Sequence, residues 1–460
     1  MWPFKSNKNK KRKYEGAAKG RRTSSWLTGS GDANSQIRHD LPTLRARSRD
    51  LRRNNAYIHK AIDVISNNVV GKGIQTQWDD ENIEALWKEW AHSTNIDYDG
   101  RNDIRGLQRM VMEAVAESGE VLIRKRIVAG LAFPLQYQVL EADFLDSTIL
   151  NTSPTQDGNF VIQGIEFDGN GKRVGYHIYE SHPGSVDHPF NSLNSNFIPA
   201  NEILHIYRAE RPGQVRGVPW PSPVMIKTKD LDDFEDAQLM RQKVAACFTA
   251  FVHDISADVD CDDDSDLGEK IEPALIEHLP PGKTITFANP PSVENYKEFT
   301  SSHLRAIAAG MGLSYESLTG DLTETNYSSG RMGHLSMQRN VDSWREGIII
   351  THMMSPIVED FKNIASILGT DASRAKATHI PPMREMIDPT KEIPAMVDSI
   401  RAGLSSRSEA VASLGKDPND VQNQIQKDNQ KADELGLILD SDPRKTNSSG
   451  KLHDGVNDNE

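Results

Sequence analysis

The sequence predicts an α+β fold in which long helices flank an antiparallel β unit. Two observations support this class. Apolar residues recur at helical spacing through most of the chain, whereas short β-type runs separated by turns fill residues 135–207. The 460 residues also leave room for two to four packed domains, at about 100 to 200 residues each.

The first 44 residues are predicted to form a disordered basic arm, because they are rich in Lys, Arg, Ser, Gly and Asn and poor in apolar residues. Residues 1–53 hold 15 basic and 4 acidic residues, so within a total net charge of −13 the remainder carries −24. A body with this much negative charge repels the phosphate backbone of DNA. We therefore do not expect the folded part of the chain to bind DNA both tightly and non-specifically. The arm fits either a solubilising tail or a functional segment.

Helices precede the β unit. Residues 54–70 have apolar side chains at helical spacing and end at Gly71, and a second helix is predicted to begin at an Asn102/Asp103 cap and to include Leu122. Strands are then predicted at 136–140, 160–167, 174–179 and 203–207, separated by Asp-Gly, Gly-Asn-Gly and Pro-Gly turns. The unit contains four histidines, but none has a carboxylate at a metal-ligand spacing, so no metal site is predicted. They are His177, His182, His188 and His205.

A helix predicted over residues 223–252 combines an apolar stripe, which includes Leu231 and Phe234, with acids crowded into its first half. These acids are Asp230, Asp232, Asp233, Glu235 and Asp236. They fit either a solvated face that favours the helix dipole or the wall of an acidic channel. A strand at 283–287 and a further helix at 295–311 follow.

A polar stretch rich in Thr, Ser, Gly and Asn, residues 312–329, predicts a loop. It leads into the longest helical pattern, residues 327–367, which would reach about 60 Å and should bend at Pro356. Such a rod suits an assembly better than an isolated globule. Another helical stretch, 390–414, precedes a charged helix, and the tail from residue 440 is predicted to be disordered.

The sequence contains no complete catalytic motif. Pro281-Gly-Lys-Thr284 copies the end of a phosphate loop, but Glu277 stands where the first glycine is needed. The acidic stretch 258–266 resembles a calcium loop, but Ser265 replaces its turn glycine and Ile271 its bidentate glutamate. Two cysteines cannot form a disulfide framework, and no apolar run approaches the length of a membrane span. We therefore expect no enzyme, no cofactor, no metal and no membrane contact, in a protein made in a reducing cytosol.

Several motifs resemble those of the portal proteins of tailed phages, lambda type. The two most specific are Arg211-Pro-Gly-Gln-Val-Arg-Gly-Val-Pro-Trp-Pro-Ser-Pro-Val224, and His303-Leu-Arg-Ala-Ile-Ala-Ala-Gly-Met-Gly-Leu-Ser-Tyr-Glu-Ser-Leu318 followed by Asn326-Tyr-Ser-Ser-Gly-Arg331. Arg53-Asn-Asn-Ala-Tyr57 and the stretch from Glu385 to Ser405 also fit. The resemblance runs from about residue 45 to about residue 435.

The resemblance implies a ring, typically of twelve subunits, at one vertex of the capsid in the virion, assembled in the host cytoplasm. Double-stranded DNA would pass through it non-specifically, and the terminase large subunit, head-completion or adaptor proteins, and the major capsid and scaffold proteins would contact it. The implied regions are the wing (45–222), first stem helix (223–252), clip (253–293), second stem helix (294–313), tunnel loop (314–329), long kinked helix returning to the wing (330–389), crown (390–435) and tail (436–460).

The same resemblance assigns roles to three sets of residues. Asp232, Asp233 and Asp236 would line the channel, while the stripe of Leu231 and Phe234 would pack between neighbouring stems. The tunnel loop would present Thr319, Asp321, Thr323, Glu324 and Asn326 to DNA. The acids Asp262, Asp263 and Asp264 of the clip would dock a partner protein.

Two other classes of function remain open on the residues alone. A nuclease or NTPase component of the packaging motor would need a complete phosphate loop or a carboxylate set for two metals, for which 258–266 is the only candidate. A scaffolding or adaptor protein would be shorter and would lack the β unit. A non-enzymatic ring explains the acidic body, the long bent helix, the polar loop and the missing catalytic motif together.

Overall fold

The structure is a computed structural model. It describes residues 17, 21, 24–25, 28–149, 158–186, 194–246, 250–254, 283–287, 296–323, 325–384, 386, 388–447 and 451. Within those ranges, no helix is both long and apolar enough to cross a membrane. The acidic stretch 258–266 and Glu324 lie outside the described residues, as does most of the basic arm.

Thirteen α-helices and eleven strands are described. The helices are α1 Ala33–Ile37, α2 Leu41–Asn54, α3 Ala56–Val69, α4 Glu81–Ala91, α5 Ile104–Ser118, α6 Met225–Ala246, α7 Tyr296–Met311, α8 Tyr315–Thr319, α9 Tyr327–Trp344, α10 Ser355–Ile367, α11 Pro389–Arg401, α12 Arg407–Ser413 and α13 Pro418–Glu434. The strands are β1 Gln75–Trp78, β2 Glu120–Ile127, β3 Leu135–Glu141, β4 Phe160–Ile162, β5 Ile165–Phe167, β6 Arg173–Tyr179, β7 Ser195–Pro199, β8 Ile203–Tyr207, β9 Ala250–Asp254, β10 Lys283–Phe287 and β11 Ala377–Ile380.

The first helices begin earlier than the predicted end of the basic arm at residue 44. Asp32 caps α1 by accepting a hydrogen bond from the Ser35 N–H, and α2 already starts at Leu41. Helix α3 matches the predicted helix, because Asn55 caps it and Gly71 follows it with a φ of 54°. Composition therefore marks the basic segment correctly, but local capping sets where order begins.

The main hydrophobic core lies between helices α3, α4 and α5 and the later helices α9 and α10. Its densest part is a cluster of aromatic rings whose centroids lie 4.8–5.7 Å apart in most pairs. These rings belong to Trp78, Trp87, Trp90, Phe133 and Phe361. Burying so much aromatic surface contributes several kcal/mol, on the order of 2 per side chain. This core ties residues near position 80 to residues near position 360.

The β unit consists of two antiparallel sheets. A three-stranded sheet has the order β3-β2-β8, and a four-stranded sheet has the order β4-β5-β6-β7. A second, smaller core lies between them. The strands predicted at 136–140, 174–179 and 203–207 are confirmed, whereas the run predicted over 160–167 is divided into β4 and β5 by a turn at Gln163 and Gly164, whose φ angles are 49° and 82°. Strand β7 was missed, and so was β2: Leu122 was assigned to the preceding helix, which ends at Ser118. Val121, Leu122 and Ile123 are all buried, so this strand has no polar alternation to separate it from a helix.

The predicted helix over 223–252 ends earlier, at Ala246, and its last predicted residues lie in β9. Strand β9 pairs antiparallel with β10, which occupies the predicted residues 283–287. Helix α7 then matches the prediction closely. Residues 250–252, the end of the predicted helix, thus belong to a strand, and apolar character alone does not separate these two structures.

The long helix predicted over 327–367 is continuous, but its middle is not α-helical. Helix α9 is followed by a π-helical segment, Arg345–Met354, and then by α10. Pro356 has no N–H, and just before it the Ser355 N–H donates to the carbonyl of Ile350, five residues back. Proline therefore alters the hydrogen-bond register of this helix without ending it.

The C-terminal helices lie beyond strand β11, which pairs with β1. The helix predicted over 390–414 is divided, because α11 ends at Arg401 and Gly403 follows with a φ of 72°. The charged helix that follows it is confirmed as α13. The tail begins with an ordered turn, in which Arg444 forms an ion pair with Asp442. The predicted disorder therefore does not extend over the whole tail.

Candidate channel surface and its anchor

A buried carboxylate joins the segments around the start of α6. The side chain of Glu120, the first residue of β2, is fully buried. It accepts hydrogen bonds from Arg45 Nη2 (2.8 Å), Arg216 Nη2 (2.6 Å), His205 Nε2 (3.0 Å) and the Gly217 N–H (2.9 Å). We call these five residues the Glu120 anchor. It connects α2, β2 and β8 to the segment that leads into α6.

Two glycines allow that segment to lie against the turn before β2. A Cβ atom on Gly217 would lie 2.1 Å from the carbonyl oxygen of Gly119, and one on Gly119 would lie 2.4 Å from the backbone of Val218. Gly119 also has a φ of 90°. The Trp220 N–H donates to the carbonyl of Ala116 at 3.1 Å. Residues 216–220 are therefore fixed by backbone contacts immediately before α6 begins.

His205 is neutral within this anchor. Burial lowers its pKa to about 4, although its hydrogen bond to Glu120 opposes that shift. Its Nε2 donates to Glu120, and its Nδ1 is buried without a hydrogen-bond partner, as expected for the neutral ring. Burial also opposes the charge of Glu120, but Arg216, His205 and Arg45 outweigh it and hold the pKa of Glu120 well below its ordinary value.

The acids of α6 face in different directions. Leu231 is buried in the main core, which fixes the rotation of the helix. Asp232 is half-buried and accepts a hydrogen bond of 2.7 Å from the side chain of Asn55, the cap of α3. Asp233 and Asp236 are exposed. Of the three predicted channel residues, these two therefore present carboxylates to solvent, whereas Asp232 joins α6 to α3.

The exposed face of α6 is only partly neutralised. Lys229 Nζ lies 2.5 Å from Asp233, one helical turn away, and this contact raises the pKa of the lysine. Partial burial raises the pKa of Asp232 and of Glu235, which lie beside other acids of the same face. Among the residues that the structure describes, no cation is recorded within ion-pair distance of Asp236.

Helices α6 and α7 pack against each other through aromatic rings and one close backbone approach. The ring of Phe234 lies 4.4 Å from that of Phe299 and 5.8 Å from that of Tyr296. At the other end of the pair, a Cβ atom on Gly310 would lie 2.3 Å from Val224 Cγ1. Phe234, which was predicted to pack between neighbouring stems, therefore also pairs the two helices within one subunit.

The predicted tunnel loop is shorter than residues 314–329, because α8 fills its first part and α9 begins at Tyr327. Thr319 Oγ1 donates to the carbonyl of Tyr315, and Asp321 accepts from the N–H (3.0 Å) and hydroxyl (2.6 Å) of Thr323. These bonds from Thr323 lower the pKa of Asp321. Asn326 caps α9 by accepting from the Ser329 N–H. Local hydrogen bonds thus make the remaining loop a compact turn between two helices.

In two acidic clusters the candidate ligand atoms lie close enough together to bind one metal ion, but a basic side chain contacts each cluster. Arg49 contacts both Glu141 and Asp143, which stand beside His182. In the second cluster, Glu84, Asp417 and Asp420, the ammonium group of Lys88 lies 2.6 Å from Glu84. Neither cluster therefore suggests a cation site. The other three histidines of the β unit are His177, which contacts Glu166, His205 of the anchor, and His188, which lies outside the described residues.

Comparison with known protein families shows which family the chain belongs to. The sequence model described as "Phage portal protein, lambda family" matches residues 19–345, which include the Glu120 anchor, α6 and α7. The chain belongs to this family of portal proteins. Its fold and its role as a portal protein of the phage head–tail junction follow from that membership.

Individual relatives agree. The portal protein is 28% identical to the probable portal protein of Halomonas phage phiHAP-1, over 93% of this chain and 88% of the relative. It is 24% identical to portal protein B of Escherichia phage lambda, over 88% and 87% of the two chains. Among solved structures, a chain from the neck of an empty gene transfer agent particle has the same fold, with a TM-score of 0.50, 14% identity and coverage of 82% and 93%.

Sequence reasoning missed the Glu120 anchor in the portal protein. Asp262, Asp263 and Asp264 of the predicted clip lie outside the described residues, so their docking role stays a prediction, as does the role of Glu324. A signal for the anchor was present, because Arg216 lies within the first motif of the resemblance, and Glu120 is a lone charge beside three apolar residues. Nothing in the local sequence pairs the two.

We expect the substitution Glu120→Gln to lower the free energy of unfolding by about 3–5 kcal/mol, because it leaves the buried guanidinium group of Arg216 without a counter-charge and removes the closer of the two carboxylates that pair with Arg45. Urea denaturation of the full chain measures this change. The matched control is Glu141→Gln, in which the acid is 57% exposed and pairs with Arg49. The control should change the free energy by less than about 1 kcal/mol. Equal effects of the two substitutions would show that the anchor does not stabilise the fold.

His205 should make stability depend on pH. In the unfolded chain this histidine binds a proton near its ordinary pKa of 6.5, whereas in the folded chain it stays neutral down to about 4. The contribution is complete above pH 6.5 and is lost as the pH falls towards 4, by about 3 kcal/mol. Urea denaturation across this range should show a shallower pH dependence for His205→Gln than for the natural chain. Identical slopes would contradict a neutral buried His205.

Proposed function

We propose that this portal protein assembles head to tail into a ring, of about twelve subunits, at one vertex of the capsid, and that double-stranded DNA passes through its centre. The terminase large subunit, adaptor proteins, and capsid and scaffold proteins are the proposed partners, and assembly takes place in the host cytoplasm. Family membership supports the ring. The observation that supports the proposed DNA channel is the exposed acidic face of α6.

The acidic face suits a conduit for physical reasons. Each phosphate that a cation neutralises strengthens retention of DNA, so a channel that must release DNA should carry few unpaired cations. Asp233 and Asp236 give α6 exposed negative charge, and the body of the chain is strongly acidic. We propose that these two acids line the channel and that Asp232 instead holds the channel helix to α3.

The turn after α8 would form the narrow part of the channel. Thr319, Thr323 and Asn326 are polar and uncharged, and Asp321 is the one acid described there. The hydroxyl groups of Thr319 and Thr323 already donate hydrogen bonds next to or within the turn, so these two side chains offer passing DNA no free donor. In the same scheme α6 and α7 are the stem, the hairpin of β9 and β10 belongs to the clip, and α11 to α13 form the crown.

The proposed role is non-enzymatic. A nuclease or NTPase of the packaging motor would need a phosphate loop whose lysine and threonine lead into a helix. Here Lys283 and Thr284 lie in strand β10, paired with β9. That position supports a strand at these two residues, and nothing in the comparisons favours a motor component or an adaptor.

We expect Asp236→Lys to reduce DNA packaging by at least tenfold in an in vitro assay with the complete head, because each ring would gain about twelve lysines facing the DNA. The loss should shrink as salt concentration rises, since counterions weaken the attraction.

The matched control is Glu89→Lys, which makes the same charge change at an exposed position of α4 on the wing. Both variants must form particles of about 0.6 MDa, the mass of twelve chains, by mass photometry. Normal packaging by Asp236→Lys in intact rings, or an equal loss with the control, would refute an α6-lined channel.

A further inference from the structure

Helix α11 shows an apolar face that the described part of its own chain covers only in part, since Ile393 and Val397 are exposed and Met396 and Ile400 are half-buried. Ile393, Met396, Val397 and Ile400 recur at helical spacing, yet no residue of the helix is buried. A helix of 13 residues without tertiary packing is only marginally stable in water. The face therefore needs a partner surface.

The end of α11 extends this face. Gly403 has a φ of 72°, its N–H donates to the carbonyl of Ile400, and the Leu404 N–H donates to the carbonyl of Ser399. In this type of helix ending, an apolar residue after the glycine normally packs back on the last turn of its own helix. Leu404 does not, because its side chain is 82% exposed. We call Ile393, Met396, Val397, Ile400 and Leu404 the α11 face.

The same ending occurs after α13. Gly436 has a φ of 64°, and the Leu437 N–H donates to the carbonyl of Ala432. The chain then continues with Ile438 and Leu439. Four aliphatic side chains lie here in succession, each between 44% and 63% exposed: Leu435, Leu437, Ile438 and Leu439. We call residues 435–439 the leucine run.

Ion pairs hold the leucine run in place at the end of α13. Lys445 Nζ lies 2.5 Å from Asp433, and Arg444 contacts both Asp433 and Asp442. These contacts bring the chain that follows the run back to the last turn of α13. The run is therefore a fixed loop with its aliphatic side chains in water, an arrangement that favours association with another apolar surface.

We propose that the leucine run of one subunit packs on the α11 face of the adjacent subunit, so that a second copy of this chain is the partner. The inference rests on the ring of the proposed function. Contacts that close such a ring need two different patches on every subunit, and the crown carries two partly exposed aliphatic patches on the same chain.

Size and charge fit this pairing. The α11 face extends about 16 Å along the helix axis from Ile393 to Leu404, and the leucine run offers four exposed aliphatic side chains to cover it. Glu434 and Asp440 flank the run with negative charge, and Arg401 borders the α11 face. Arg401 is exposed, and no carboxylate of the described segments is recorded within ion-pair distance of it. It is placed to meet either acid of the adjacent run.

The test is disulfide cross-linking of the full-length ring. Leu404→Cys and Leu437→Cys are combined in a chain in which Cys247 and Cys261 are replaced by serine. After oxidation, a denaturing gel without reductant should show a ladder of multimers up to the whole ring. The control combines Leu404→Cys with a cysteine at Ile127, a 67% exposed position on β2, and should stay monomeric.

Each result has one meaning. A ladder from the first pair and none from the control supports the inference. Intact rings of about 0.6 MDa that yield only monomers overturn it and leave the proposed function standing. If the cysteine-free parent itself forms no ring, the proposed function fails first.

A second variant protects against a misfolded cysteine pair. Leu437→Asp should lower the fraction of chains in rings at least tenfold at fixed protein concentration, whereas Ile127→Asp should not. Unchanged ring formation by Leu437→Asp would also overturn the inference.

Discussion

The carboxylate of Glu120 fixes the geometry of the segments from which α6 begins. It is buried with two guanidinium groups and one neutral imidazole, and it also binds the backbone of the segment that leads into α6. A buried charge is costly unless its partners are all in place, so this contact tolerates little displacement of α2, β2, β8 or residues 216–217. The position at which α6 begins follows from that constraint.

The acids of α6 differ in their surroundings. Leu231 enters the main core, and Asp232 binds the cap of α3. Because successive positions of a helix are about 100° apart, fixing these two turns Asp233 and Asp236 outwards. The same helix thus carries both the contacts that orient it and two exposed carboxylates. Acids that looked equivalent in the sequence differ in burial and in contacts.

Local signals predicted much of this fold. The cap at Asp103, the stop at Gly71, and strand β10 all follow from short-range chemistry, and the structure confirms them. Strand β2 was missed because its first half, including Val121, Leu122 and Ile123, is buried on both faces. The Glu120 anchor was beyond local reasoning, since its side-chain partners lie 75 to 96 residues away in the sequence. Of the candidate site, the sequence indicated the acidic helix but not which acids are free.

Electron cryomicroscopy of the purified particle, at a resolution that traces α6, tests the central claim most directly. We expect a ring with an open centre, α6 beside the opening, and the carboxylates of Asp233 and Asp236 facing it. Particles without a central hole would contradict the account. So would a ring in which α6 faces its outer surface or buries both carboxylates between subunits.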